Sequence, residues 1–158
     1  MNLVEKAKIV EAIFPATDAA GSTGDYVSLK TCHKCFVVVH ITQGNAATVA
    51  ITINQASAVA PMGAKPITVP VPIWANQDCA AGDTLVRQTD AVSFTTSAAV
   101  AHKMVVFEID PATLDLAGGF DCIMVATAAS NIANVVEGMY YLTEDRYKQP
   151  VPPSAILD

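Results

Sequence analysis

Cys35-Phe36-Val37-Val38-Val39-His40-Ile41-Thr42-Gln43, then Gly44-Asn45, then Thr48-Val49-Ala50-Ile51-Thr52-Ile53-Asn54-Gln55: the reading of these residues decides the fold. The first run is almost continuously apolar and β-branched, the composition expected of a strand buried on both faces. The second alternates with a period of two, placing Val49, Ile51 and Ile53 on one face and Thr48, Ala50, Thr52 and Asn54 on the other. A Gly-Asn turn between two such runs predicts a β-hairpin.

The same period continues outward from this pair. Tyr26 to Leu29 reads as a short strand. Residues 104–109 put Val105, Phe107 and Ile109 on one face, and residues 122–127 and 139–143 supply the last strands. Residues 56–72 carry Pro61, Pro66, Pro70 and Pro72, each lacking a ladder donor, which predicts loop or edge strand. Gly82-Asp83 turns the chain before residues 84–88, with residues 93–96 placed to pair beyond. Asp110-Pro111 has the chemistry of an N-cap and first helical residue, predicting a short helix over 111–116. At the start, Asn2 and Glu5 stand at capping-box spacing, predicting a helical turn. A strand over residues 8–13 follows it and is closed by Pro15. Residues 17–25 form a loop whose Gly21 and Gly24 lack the lysine and helix of a phosphate-binding loop.

The expected fold is therefore all-β: an antiparallel β-sandwich or jelly-roll-like barrel of about eight short strands. Residues 1–148 form a single β-rich domain, with 1–14 packing on it or on a partner, and 149–158 form a Pro-rich arm. That ending holds three prolines and is stiffened toward an extended polyproline conformation that does not fold back into a sheet. It is either an ordered arm or a disordered tail.

Length and charge narrow the function. A chain of 158 residues with 52% hydrophobic side chains has material for a core without disulfides or metals. Net charge is −6 and the basic residues are scattered, which argues against nucleic acid as a partner. A mean hydropathy of +0.38 points to apolar surface spent on contacts with other chains. Residues 1–14 are broken by Glu5, Lys6, Lys8 and Glu11, so they do not read as a signal peptide. No run reaches the roughly 20 apolar residues of a membrane span.

Chemistry-bearing residues are sparse. Between Phe36 and Ala101 only Lys65, Asp78, Asp83, Arg87 and Asp90 are charged. Cys32-His33-Lys34-Cys35 has motif spacing but runs into a strand, where positions i and i+3 face opposite sides about 10 Å apart. A redox pair would need a helix N-terminus, and zinc would have to recruit Cys79 and Cys122. The four are read as structural thiols. His33, His40 and His102 share no metal or catalytic spacing and read as core or rim. Asp110, Asp115 and Asp121 lack the alternation of a calcium loop. Serine nucleophile motifs are missing as well. No catalytic, cofactor or metal residue is assigned. Glu144-Asp145-Arg146 reads as a solvated corner, with Arg146 and Tyr147 as alternative partner anchors.

Several stretches nonetheless form a pattern: Asn2-Leu3-Val4-Glu5-Lys6, Gly24-Asp25-Tyr26-Val27-Ser28-Leu29-Lys30, and Phe107-Glu108-Ile109-Asp110 leading to Gly119-Phe120-Asp121-Cys122-Ile123. Tyr140-Tyr141-Leu142 through Arg146-Tyr147 and Pro152-Pro153-Ser154-Ala155-Ile156 complete it. Together they resemble a family of small tailed-bacteriophage virion structural proteins, of the head decoration or cement type. The Cys32–Cys35 pair and the alanine-rich middle lie outside that pattern. The resemblance implies a capsid-stabilising protein on the virion exterior, assembled in the host cytoplasm, with the major capsid protein and itself as partners. A homotrimer suits local threefold sites, because rigidly linked weak contacts gain avidity of roughly 10²–10⁴. Expected contact residues are Leu3, Val4, Ile9 and Ile13 at one end, and Arg146, Tyr147, Pro152, Pro153, Ile156 and Leu157 at the other. Alternatives are a tail or connector subunit, or a β-sandwich glycan-binding module using Trp74 and the tyrosines as platforms.

Overall fold

Alternation of apolar and polar side chains carries about half of the described residues into strands. The computed structural model describes Leu3, residues 6–146 and residues 153–157. Among these are β1 (Ala7–Thr17), β2 (Ser22–Thr23), β3 (Val27–Ser28), β4 (Cys32–Gln43), β5 (Ala50–Ala56) and β6 (Lys65–Pro66). They continue with β7 (Ile73–Asn76), β8 (Val86–Arg87), β9 (Ser93–Thr95), β10 (His102–Ile109), β11 (Cys122–Thr127) and β12 (Asn134–Asp145).

Two antiparallel sheets result. One has the order β1-β12-β4-β10-β7-β8; the other has β2-β11-β5-β6, with β3 also on β11 and β9 also on β5. Counting β2 and β3 as one interrupted strand and setting aside the short β6, β7 and β8 leaves two four-strand sets, β1-β12-β4-β10 and β2/β3-β11-β5-β9. The chain crosses between them at nearly every connection, and this interlocking order is that of a jelly roll. The predicted all-β sandwich is the observed fold. Between the sheets lie Val37, Val39 and Ile41 of β4, Ile51 and Ile53 of β5, Val105, Phe107 and Ile109 of β10, and Ile123 and Val125 of β11, each at most 1% exposed.

The predicted hairpin does not form. β4 pairs with β10 and β12, whereas β5 pairs with β11, β6 and β9 in the opposite sheet. Facing the two apolar rows across the core buries both, while a hairpin would set them side by side and leave both needing a cover. The connection over residues 44–49 is an arch held by Asn134. Its Oδ1 accepts from Asn45 N–H (3.0 Å) and its Nδ2 donates to Ala47 O (2.9 Å), while Asn45 Oδ1 accepts from Ala47 N–H (2.9 Å). β4 is also not buried on both faces: Phe36 and Val38 are half-buried, and His40 and Thr42 are exposed.

Other expectations shift at element ends. Pro15 does not close β1. The strand lies at a sheet edge, and Pro15 falls in the register shift between Ile13 and Ala16, where no ladder donor is required. The helix over 111–116 is replaced by two 3₁₀ turns, Pro111–Thr113 and Leu116–Gly118. Asp110 and Asp115 cap one each, accepting from Ala112 N–H (2.9 Å) and Gly118 N–H (3.0 Å). Between them Leu114 is extended and buried in the core, which a continuous helix would not allow. The capping box of Asn2 and Glu5 lies outside the described residues; Lys6 N–H donates to Leu3 O (3.0 Å).

Residues 153–157 lie against the body without joining a strand. Ala155 is 2% exposed within the core, and its carbonyl accepts from Ser28 N–H of β3 (2.7 Å). Lys8 of β1 donates to Pro153 O. Residues 153–157 therefore close the open side of the sandwich between β1 and β3, covering an edge that would otherwise offer unpaired backbone groups.

Candidate interaction surface

Three polar clusters lie near the strand ends, and each has a structural assignment. At one pole Asp18, fully buried, accepts from Thr127 Oγ1 (2.5 Å) through Oδ1 and from Ser130 Oγ (2.7 Å) through Oδ2. This carboxylate joins the end of β1 to the β11–β12 connection. At the same end of the sandwich, Lys103 is 1% exposed and its Nζ donates to Gln43 Oε1 (2.9 Å), Ser97 O (2.6 Å) and Ser97 Oγ (3.0 Å). Gln43 Oε1 also accepts from Thr96 Oγ1 (2.9 Å), and its Nε2 donates to Ser97 O (2.9 Å). These oxygens are all neutral, so desolvation lowers the Lys103 pKa below its usual 10.5.

At the other pole Cys32 and Cys35 are both fully buried. Cys32 opens β4, and its N–H bonds to Leu29 O (3.3 Å), so the preceding turn covers it. Burial pushes its thiol up to about 12 and holds Cys35 well above the ordinary thiol range, so neither presents a thiolate near neutral pH. The three aspartates noted in the sequence have separate partners or duties. Asp110 caps a turn, Asp115 meets Lys65 Nζ at 2.5 Å, and Asp121 lies 3.5 Å from Lys30 Nζ. The Lys65 ammonium, with help from Gly118 N–H, holds the Asp115 carboxyl below its usual value. Among the described residues no group of three or more His, Cys, Asp or Glu side chains is placed to hold a metal ion.

The unusual surface is the outer face of the six-stranded sheet. Register places Tyr141 of β12 beside Phe36 of β4 and Ile9 of β1, and Met139 beside Val38. Val38 pairs with Val106 of β10, which pairs with Trp74 of β7, and His40 pairs with Met104. These side chains alternate with buried ones along each strand, so they share the face turned from the core. A solvated antiparallel face is ordinarily polar; this one carries an apolar strip of Phe36, Val38, Met104, Val106, Met139 and Tyr141 set among Glu11, Lys34, His40, Thr42, Glu108 and Glu137. Three depressions follow one another along β4. One of about 550 Å³ lies by Leu3, Phe36, Thr143 and Glu144, one of about 200 Å³ by Val38, Met104, Met139 and Tyr141, and one of about 290 Å³ by His40, Thr42, His102 and Glu137.

Two basic side chains of this face meet carboxylates, and a histidine lies within hydrogen-bond distance of a third. Lys34 Nζ meets Glu108 Oε1 at 2.6 Å, raising the lysine pKa, and His40 Nδ1 lies 3.1 Å from Glu137 Oε1. Arg87 lies over the Trp74 ring at 5.3 Å and 2.6 Å from Asp90. The guanidinium thus occupies the ring face that a sugar platform would present.

Of the predicted contact residues, Leu3 (62% exposed) and Ile9 (40%) border this face. Ile13 does not: at 3% exposure it belongs to the core, because the bulge between Glu11 and Ile13 turns it inward. Arg146 is exposed but pinned, its N–H on Thr31 O (2.9 Å) and its Nε on Cys32 O (3.2 Å). Pro153, Ile156 and Leu157 are exposed on the returning C-terminal segment, away from the sheet face. Val4, Tyr147 and Pro152 lie outside the described residues. Sequence reading missed the sheet face itself, since which side of β4 meets the core depends on the partner sheet.

The fold defines a class, the two-sheet antiparallel jelly roll, that hosts many functions. No protein-family profile and no curated protein matches the chain. Among solved structures it is similar to the SPBc2 prophage-derived protein YomS, with a TM-score of 0.46 and 12% identity over 85% of this chain and 94% of that one. It is also similar to the naturally occurring empty particles (top component) of cowpea mosaic virus, with a TM-score of 0.29 and 12% identity over 92% and 94%. For Desmodium yellow mottle tymovirus the TM-score is 0.17, with 10% identity over 91% and 85%. Likeness at this level carries no functional assignment.

Proposed function

We propose that this chain is a structural subunit of a bacteriophage virion, which decorates and stabilises the outer surface of the capsid as a homotrimer bound to the major capsid protein. The reading rests on the resemblance of its strand ends and turns to that family. One structural observation supports it: the buried polar groups tie loops together, while an apolar strip on the outer sheet face is left partly to solvent. Such an arrangement suits a rigid body whose work is contact. Assembly takes place in the host cytoplasm and the finished protein sits on the virion exterior.

The test uses heads stripped of the protein. Adding the purified chain back should restore density at ordered positions on the outer shell and raise the temperature at which heads release DNA. Removing residues 150–158 should lower occupancy. Unchanged occupancy and heat resistance would remove the C-terminal segment from the contact, and failure of the full chain to bind would overturn the assignment.

A further inference from the structure

We propose that residues 153–157 are exchanged between copies of this chain, so that the slot holding Ala155 in each sandwich is filled by a neighbouring copy. The exchange goes beyond the capsid reading and does not rest on it; only the ring size of three does. The plug makes few contacts. Ala155 enters the core at 2% exposure and its carbonyl accepts from Ser28 N–H (2.7 Å), while Pro153 O accepts from Lys8 Nζ. Ile156 and Leu157 stay largely exposed. A second copy offers the same groups, so these contacts are equal within one chain and between two. The connection then decides which is formed.

The connection favours the neighbour. Arg146 N–H is fixed on Thr31 O (2.9 Å) and Ala155 O on Ser28 N–H, and three residues of chain span at most about 11 Å. Nine residue steps join 146 to 155, and they include Gln149-Pro150-Val151-Pro152-Pro153. Each proline, and each residue before one, is biased toward extended backbone. At the polyproline rise of about 3.1 Å, nine steps reach about 28 Å, well beyond the separation of the two anchors. Within one chain the path must also turn back, because Pro153 meets Lys8, whose register partner Leu142 lies four residues before Arg146. Between two chains it runs straight, about twice the roughly 15 Å radius of gyration of a domain this size. A plug passed from copy to copy makes a heterologous contact that closes as a ring. In the homotrimer proposed above, each core is completed by a partner's plug, and three linked exchanges offset the lost translational freedom.

Disulfide trapping reads the exchange, using Ser28→Cys and Ala155→Cys in a Cys79→Ser background. The backbone hydrogen bond between the two positions brings their Cα atoms within disulfide reach. Cys32, Cys35 and Cys122 are buried, so oxidation of the folded protein spares them and unfolding in iodoacetamide blocks them. On non-reducing denaturing gels the double variant is expected as covalent trimers, and the two single variants refolded together as covalent dimers. Dimers from the double variant would keep the exchange and remove the ring of three. A closed monomer with no dimer from the mixture would overturn the proposal, as would no cross-link in either sample. Sedimentation equilibrium keeps the two readings apart: trimers of internally closed chains remove the exchange alone, and monomers throughout remove both. Pro150→Gly with Pro152→Gly tests the same idea without touching the core. Freeing the connection should weaken association about tenfold, and unchanged association would overturn the exchange.

Discussion

Lys103 ends among neutral oxygens, and the physics of a buried ammonium gives it a testable asymmetry with Gln43. Lys103→Met leaves no acceptor orphaned, since Gln43 Oε1 keeps Thr96 and Ser97 O keeps Gln43 Nε2. It also removes a desolvated charge, so chemical denaturation should show a change within about 1 kcal/mol. Gln43→Leu strands the Thr96 hydroxyl donor and takes one acceptor from a buried ammonium, and should destabilise by about 2–3 kcal/mol. The thiols set a pH dependence. Cys32 stays protonated to about 12 when folded but ionises from about 9.0 when unfolded, so stability falls as pH rises through that window. Cys35 acts in the same direction. Melting temperature should therefore drop above pH 9, less steeply in Cys35→Ala. Thiol reagents should reach neither residue until the chain unfolds. At this scale the sequence was legible where spacing decides, as in the Asp110 cap. It was not where tertiary cover decides: Cys32 and Ile13 are buried by a turn and a bulge that no periodicity announces.

Among the strands, the split between β2 and β3 is the clearest example of local sequence read by distant structure. Gly24 lies where the strand is interrupted, and a Cβ there would come within 2.9 Å of Ala12 O and 3.0 Å of Val125 O. The interruption leaves Val125 N–H without a strand partner. Tyr140 reaches from β12 in the other sheet to accept it (2.9 Å) and donates onward to Asp25 O (2.9 Å). Tyr140→Phe should cost about 1–3 kcal/mol, measured by denaturant titration, because the N–H is then buried unpaired. Residues 153–157 make a similar repair at the β3 edge. Removing them should lower the melting temperature and promote aggregation in light scattering; an unchanged melting temperature would mean the edge needs no cover. Strand content was legible from alternation in β5 and β10. Pairing was not, because the apolar rows of β4 and β5 fit a hairpin and facing sheets equally well. Only the competition of β10, β11 and β12 for their edges separates the two.

For the molecule as a whole, the jelly-roll body and the two surfaces it exposes define what it can bind. The sequence placed the contacts at the chain ends. Ile9 and Leu3 do border the apolar sheet face, while the C-terminal residues lie on the separate surface that seals the sandwich. A face assembled from five strands is invisible to a linear reading, because Phe36, Val106 and Met139 become neighbours only through register. The most direct measurement of the structural role is cryo-electron microscopy of stripped heads incubated with the purified chain. Ordered density on the outer shell, fitted by this sandwich in groups of three, is the expected result. Bare shells, or density confined to the tail, would contradict it.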